Sequence, residues 1–316
     1  MEKKTTDLLK KETRYSCLKP SALNLKNDSL YYRDLSETSL GFKTGAIEKA
    51  IDYFCELFKL SDKKQFDKKF RESISGDGNE LGKIDAVHSS SLLALLCFYN
   101  VKNKPLYFEG VRYDDVYFEF KNKVVKNPSN MDVVLTGRNK QGEECLLFVE
   151  CKYSEFFKSE PCKLGKTYET GEYRRIFYNL IRYQDIKVYQ YGIKQLVTHY
   201  LGIRNFIKSD IEDYKKMMSK YYLVGRDRCN LYRRFNKVSF LEVVYDFSGL
   251  DNYDQYVKES EDVFDKLKDL ATEDNLDLNL LGTTTYQNLF LDYENGINSG
   301  VLDDKVREFY FSKYKK

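Results

Sequence analysis

The sequence predicts an α/β fold in the order α-β-β-β-α-β, with extra helices at both ends. Three observations lead to this prediction. Apolar residues recur at helical spacing before residue 101 and again after residue 171. Four short apolar or aromatic runs lie between them, over residues 106–109, 115–121, 131–136 and 145–152, and are typical of strands. A polar turn over residues 137–143 joins the last two runs, which indicates an antiparallel hairpin.

The remaining elements follow in chain order. Helical spacing predicts helices over residues 45–60 and 62–74, and the dense apolar run at 92–98 predicts a buried helix over 85–100. After the hairpin, helices over 172–181 and 184–201 and a strand over 238–247 complete the central pattern. Residues 1–40 show no clear period and are predicted as an arm. Residues 254–270 and 301–314 are predicted as helices, and 274–285 as a loop.

Length and composition indicate one folded core with decorations. The chain has 316 residues, of which 42% are apolar and 32% are charged, as is usual for globular proteins. We expect three regions: an N-terminal arm with helices over residues 1–79, the core over 80–249, and an acidic helical extension over 250–316.

Composition also excludes several kinds of site. The seven cysteines include no C-x-x-C pair, and the two histidines are too few for a histidine-rich metal centre. No apolar run approaches the roughly 20 residues that cross a bilayer, and the start is charged where a signal peptide needs an apolar stretch. We therefore expect a cytoplasmic protein with no membrane partner, and a site built from carboxylates.

Charge is distributed unevenly along the chain although the net charge is only +3. Residues 158–237 carry roughly ten more basic than acidic residues, while residues 251–304 are acidic by a similar margin. Such a basic region favours a polyanionic substrate, although each cluster could equally be a solvated face. The candidate nucleic-acid-binding residues are Arg174, Arg175, Arg182, Arg226, Arg228, Arg233 and Arg234.

Asp132, Glu150 and Lys152 form the candidate catalytic site. A hairpin with Thr136 near Cys145 would bring Asp132 and Glu150 within about one rung of each other. Glu150 and Lys152 then share one face of their strand. Two neighbouring carboxylates repel unless a cation lies between them, and Mg²⁺ prefers such oxygen ligands. The alternative is an ordinary Glu–Lys pair at the end of a hairpin.

On these residues the sequence resembles the PD-(D/E)XK nuclease superfamily, over roughly residues 80–247. The resemblance implies a restriction-endonuclease-like core with a central mixed sheet flanked by helices. It also implies that Asp132, Glu150 and the carbonyl of Cys151 bind Mg²⁺, with Mn²⁺ as a substitute. Lys152 would orient the attacking water or help to deprotonate it. The proline of the family motif is absent, because Met131 precedes Asp132.

The resemblance suggests two further catalytic residues. A glutamate often completes these sites, and we expect Glu119 in this role, with Glu109 and Glu80 as alternatives. A polar residue on the helix after the motif often supports the metal or the phosphate. We expect Gln195 there, with Gln190 as the alternative. His199 shares a helix face with Gln195 and is predicted to be a structural residue rather than a catalyst.

The expected function is that of a metal-dependent endonuclease that hydrolyses DNA phosphodiester bonds, of a restriction or defence type. A homodimer is suggested by analogy with restriction-type relatives. The alternatives are a structure-selective, repair or RNA nuclease, and a catalytically silent protein that binds nucleic acid.

Overall fold

A computed structural model describes residues 23–26, 29–32, 45–75, 89–125, 128–157, 160–161, 169, 171–181, 188–189, 191–221, 226–291, 298 and 300–311. Its strands are β1 (Leu23–Lys26), β2 (Ser29–Tyr32), β3 (Leu106–Phe108), β4 (Val111–Lys123), β5 (Pro128–Asn139), β6 (Glu144–Lys152), β7 (Glu160–Pro161), β8 (Val188–Tyr189), β9 (Lys237–Val244) and β10 (Asn279–Thr285). Its helices are α1 (Ala46–Phe58), α2 (Lys63–Ser73), α3 (Ser90–Phe98), α4 (Gly171–Leu180), α5 (Ile193–Lys208), α6 (Ile211–Ser219), α7 (Asp251–Glu273), α8 (Tyr286–Leu291) and α9 (Asp304–Phe311).

A six-stranded mixed sheet forms the centre of the protein, in the strand order β10-β9-β6-β5-β4-β3. Strands β3 to β6 pair antiparallel, as an uninterrupted meander. Strands β9 and β10 are parallel to β6, so the chain must cross over a sheet face before each of them. The pairs β1–β2 and β7–β8 form separate two-stranded ribbons.

Helices cover both faces of this sheet. On one face, Phe206 of α5 packs against Phe148, and Phe264 of α7 packs against Phe240. On the other face, α3 contacts β5 and β6, and its Phe98 packs against Phe290 of α8. Because helices cover both faces, most residues of β6 and β9 are buried without alternation.

The predicted fold class is confirmed: the α-β-β-β-α-β core is present, with a mixed sheet between helices. Helix α5 begins at Ile193 rather than at 184, and β8 lies within the segment predicted as helix. The prediction of a loop over 274–285 is wrong, because β10 pairs with β9 there. Four of the seven β10 residues are Gly or Thr, so the strand lacks the apolar run that usually signals burial.

The structure adds short elements that the sequence pattern did not show. They include the β1–β2 hairpin within the predicted arm, helices α6 and α8, strand β7, and 3₁₀ helices at Glu155–Phe157 and Arg226–Leu231. The region boundaries at 79 and 249 stay a prediction. Buried apolar side chains from Ala50 to Phe311 nevertheless form one hydrophobic cluster. No helix within the described ranges is long and apolar enough to cross a membrane.

Candidate active site

The candidate site lies where β5 and β6 separate. Their pairing ends at Val133 and Val149, although β5 continues beside β4 and β6 continues beside β9. Asp132 and Glu150 are the next residues beyond this last pair. The register is one residue away from the prediction, because Cys145 lies opposite Gly137 instead of Thr136.

Asp132 fills part of the gap between the two strands. Its Oδ2 accepts a hydrogen bond of 2.7 Å from the backbone N–H of Cys151, a group that lies beyond the last β5–β6 pair. The side chain of Cys151 is buried and faces Tyr286 and Cys97 on the opposite side of the sheet. Because side chains alternate between the two faces of a strand, Glu150 and Lys152 point into the site and the thiol of Cys151 points away from it.

Glu150 and Lys152 are buried side by side under helix α5. Lys152 Nζ donates to Glu150 Oε1 at 2.6 Å and to Gln195 Oε1 at 2.7 Å. Gln195 Nε2 donates back to the same Glu150 oxygen at 2.5 Å. These three polar groups therefore form a closed ring, which restrains both charged side chains.

His199 also reaches this cluster, one helical turn after Gln195. Its Nε2 lies 3.0 Å from Glu150 Oε2, but the arrangement does not meet hydrogen-bond geometry. That oxygen has no hydrogen bond within the part of the chain described here. The i, i+4 spacing from Gln195 was the sequence signal that places His199 on this face of the helix, and its role as a structural residue stays a prediction.

The two neighbouring carboxylates have opposite pKa shifts. Burial, followed by the charge of Glu150, raises the pKa of Asp132 well above its usual value. Burial also acts to raise the pKa of Glu150, but Lys152 and His199 outweigh it and hold that pKa below its usual value. Burial acts to lower the pKa of Lys152. The charges of Glu150 and other nearby acids outweigh this effect, so the pKa of Lys152 lies above its usual value. Glu150 and Lys152 are therefore both charged at neutral pH.

Glu119 approaches the site from β4. Its flanking residues Phe118 and Phe120 pair with Val133 and Met131, so Glu119 lies opposite Asp132. The side chain is buried, and its charge contributes to the raised pKa of Asp132. Of the two alternatives, Glu109 lies in the exposed β3–β4 turn, and Glu80 falls outside the described residues, as does Gln190.

Glu242 is a further acidic residue, and the sequence analysis missed it. It lies directly beside Glu150 in the parallel pairing of β6 and β9. Tyr256 donates a hydrogen bond to one Glu242 oxygen, and the hydroxyls of Ser260 and Thr283 donate to the other. Burial raises the pKa of Glu242 to about 7. An acid inside the predicted apolar strand 238–247 was the available signal.

Arg228, Arg233 and Arg234 do not line the candidate site. Arg228 is buried and donates to backbone carbonyls of Glu72 and Glu119. Arg233 and Arg234 precede β9, whose first residue pairs with Cys145 near the start of β6. They therefore lie at the opposite end of the sheet, where Arg233 pairs with Glu144 and Arg234 binds backbone carbonyls of the α5–α6 turn.

The other predicted arginines are differently placed. Arg174 and Arg175 are exposed on α4, where Arg174 stacks on Tyr178 and Arg175 lies near Asp274. Arg182 and the side chain of Arg226 are outside the described residues.

The donor set fits a hard divalent cation. Asp132 and Glu150 supply carboxylate oxygens, and the buried Glu150 Oε2 lacks a hydrogen bond within the described ranges. One or two carboxylates with water and substrate phosphates are the usual shell of Mg²⁺. No group of three His, Cys, Asp or Glu among the described residues is arranged as a complete metal site. Water or substrate oxygens would have to complete the shell.

Comparison with known families gives a match over the centre of the chain. Residues 101–227, from the β-meander to the segment before β9, match the model of the PD-(D/E)XK nuclease superfamily. Comparisons with curated proteins and with solved structures gave no match. The resemblance inferred from the sequence is confirmed over residues 101–227, the part of the chain that matches the PD-(D/E)XK nuclease superfamily.

Proposed function

We propose that the protein is a metal-dependent endonuclease that hydrolyses DNA phosphodiester bonds in the cytoplasm, as a restriction or defence enzyme. The match to the PD-(D/E)XK nuclease superfamily over residues 101–227 suggests a nuclease with a nucleic-acid substrate. The observation that supports the finer proposal is the cluster at the β5–β6 separation, where a buried Glu150–Lys152 pair lies beside Asp132. The alternative was an ordinary Glu–Lys pair at the surface end of a hairpin. The burial of both Glu150 and Lys152 argues against that alternative.

In this proposal Asp132, Glu150 and the carbonyl of Cys151 would hold Mg²⁺, or Mn²⁺ in its place. Glu119 would add a further acid to the site, and water and substrate oxygens would fill the rest of the shell. A bound divalent ion would supply charge neutralisation at the phosphate and acidify a water molecule. Lys152, whose Nζ lies 2.6 Å from Glu150 Oε1, would orient the attacking water or help to deprotonate it. Gln195 fixes the position of the ammonium group through its 2.7 Å contact.

The sequence around the site contains the cations that would hold a phosphate backbone. We propose phosphate contacts for Arg174 and Arg175, which are exposed on α4, and for Arg182 and Arg226. Arg233 and Arg234 could contact only nucleic acid that extends to the far end of the sheet. A homodimer remains part of the proposal by analogy with restriction-type enzymes that cut both strands.

Cleavage assays test the proposal directly. Purified protein is incubated with plasmid, linear DNA and RNA, each with Mg²⁺, with Mn²⁺ or with EDTA. We expect DNA cleavage that requires the metal and is lost in Asp132→Ala and Lys152→Ala. Lys268→Ala, which removes an exposed lysine of α7, is the matched control and should cut normally.

Each other outcome favours a specific alternative. Cleavage of RNA alone, or of branched DNA alone, indicates an RNA nuclease or a structure-selective enzyme. Binding without cleavage in both metals indicates a silent nucleic-acid-binding protein. Undiminished cutting by Asp132→Ala or Lys152→Ala removes these residues from the mechanism.

A further inference from the structure

Strand β4 departs from extended geometry at Glu119. The residue has a φ angle of 52°, in the left-handed region that costs a non-glycine residue roughly 1 kcal/mol or more. The register of β4 with β5 is the same before and after it, so the bend reorients one residue without displacing the strand. Such a conformation persists only where surrounding contacts stabilise it.

Glu72 and Arg228 bind the backbone on both sides of this bend. Glu72 Oε1 accepts a hydrogen bond of 3.2 Å from the N–H of Phe118. Arg228 Nη1 donates to the carbonyl oxygen of Glu119 at 3.3 Å. Arg228 Nε lies 3.3 Å from the same Glu72 oxygen. The Glu72–Arg228 ion pair therefore binds both the N–H of Phe118, before the bend, and the carbonyl of Glu119, after it.

This ion pair is largely shielded from solvent, with the Glu72 side chain 10% exposed, and it is anchored to the end of α2. Arg228 is only 3% exposed, and its Nη2 donates to the Glu72 carbonyl at 2.9 Å and to Ser75 Oγ at 2.7 Å. Lys69 Nζ contacts Glu72 Oε2 at 3.0 Å and also donates to the carbonyl of Val116 on β4. With so many partners, the guanidinium and the carboxylate have one well-defined arrangement.

We propose that Glu72 and Arg228 are positioning residues that place the Glu119 carboxylate at the Asp132–Glu150 site. The inference deepens the proposed function and rests on it, because it assumes that Glu119 helps to bind the metal. The backbone conformation of a residue sets the direction of its side chain, so releasing the bend would redirect the carboxylate. Glu72 and Arg228 both lie outside the segment 101–227 that matches the family.

Metal binding by the full chain tests this without depending on cleavage. Mn²⁺ affinity is measured by electron paramagnetic resonance for the wild type, Arg228→Gln and Glu72→Gln. Residues that orient metal ligands change affinity by about 10- to 100-fold when replaced, and we expect a loss of about tenfold here. Asp303→Asn, which neutralises a different buried acid paired with Lys104, is the control and should bind as the wild type does.

A double-mutant cycle separates positioning from general structural support. Glu119→Gln alone should weaken Mn²⁺ binding, and adding Arg228→Gln should then cause no further loss. If Arg228 had a purely structural role, Arg228→Gln would reduce Mn²⁺ affinity by the same factor in the wild type and in Glu119→Gln. Should Arg228→Gln fail to fold, Arg228→Lys replaces it. Lysine keeps the charge but lacks the planar fork, and we expect an intermediate loss.

Two results would overturn the positioning role: unchanged Mn²⁺ affinity in the single variants, or the same loss with and without Glu119. The failure of the nuclease proposal is distinguishable from these. A wild type that binds Mn²⁺ with the expected Glu119 and Arg228 dependence but cuts no nucleic acid contradicts the nuclease proposal alone. A wild type that binds no Mn²⁺ contradicts both.

Discussion

Replacing Glu242 with glutamine should stabilise the protein at pH 8 and have little effect near pH 5. Glu242 is 2% exposed, and burial raises its pKa from 4.5 to about 7. An acid whose pKa is raised by folding holds its proton longer in the folded state. The folded protein therefore loses stability as the pH rises from 4.5 through 7.

The size of the effect follows from the same two values. At roughly 1.4 kcal/mol per unit of pKa, ionised Glu242 destabilises the fold by about 3 kcal/mol at pH 8 relative to its protonated form. Glutamine is neutral at every pH. Its carbonyl can accept from Tyr256, and its amide can donate to the hydroxyl of Ser260 or Thr283, so the local hydrogen bonds survive.

Urea unfolding between pH 5 and 8.5, in EDTA, measures this difference. We expect the stability gain of Glu242→Gln to grow with pH and to level off above the folded-state pKa. Glu261→Gln removes an exposed acid of the same helix α7 and should change stability by less than about 0.5 kcal/mol at any pH. A gain that is equal at pH 5 and pH 8.5, or absent at both, would refute the reasoning.

Two further predictions concern α5. His199→Ala should lower the cleavage rate by about 10- to 100-fold while leaving the fold intact. His199 Nε2 lies 3.0 Å from Glu150 Oε2, and contacts that support metal ligands have effects of that size. Full activity in His199→Ala would contradict this. Gly202→Ala should destabilise the protein by about 1–3 kcal/mol in urea, because the added Cβ would lie 2.7 Å from Ser129 Oγ. Gly300→Ala, whose Cβ would meet nothing within 4 Å, is its control, and equal stability of the two variants would contradict the close approach of α5 to β5.

Much of the core could be predicted because its signals are local. The run from Cys145 to Lys152 is apolar up to a charged pair, and alternation within one strand places Glu150 and Lys152 on the same face. The structure shows them 2.6 Å apart. The β-meander and most helix positions were predicted from the same kind of periodicity, although α5 begins at Ile193 and not at residue 184.

The predictions differ from the structure where the local apolar pattern is weak, or where the same residue type occurs both buried and exposed. Strand β10 was predicted as a loop, since a sequence of Gly and Thr residues carries little apolar signal. The predicted contacts of Arg228, Arg233 and Arg234 with nucleic acid are not tested, but Arg228 is buried beside Glu72. Sequence shows that these residues are cationic, but burial and the choice of partner depend on elements distant in the chain.

The sequence by itself determined the hairpin, the order of the core elements and the pairing of an acid with a lysine on one strand. Side-chain direction and hydrophobic period are properties of neighbouring residues, which is why these features are visible without coordinates. Only the tertiary structure decided that β5 and β6 separate at Asp132 and Glu150, and that Gln195 and His199 reach Glu150 from α5. It likewise decided that Glu72 and Arg228 bind the bend at Glu119. These contacts join residues from 45 to 156 positions apart, and packing between elements fixes them.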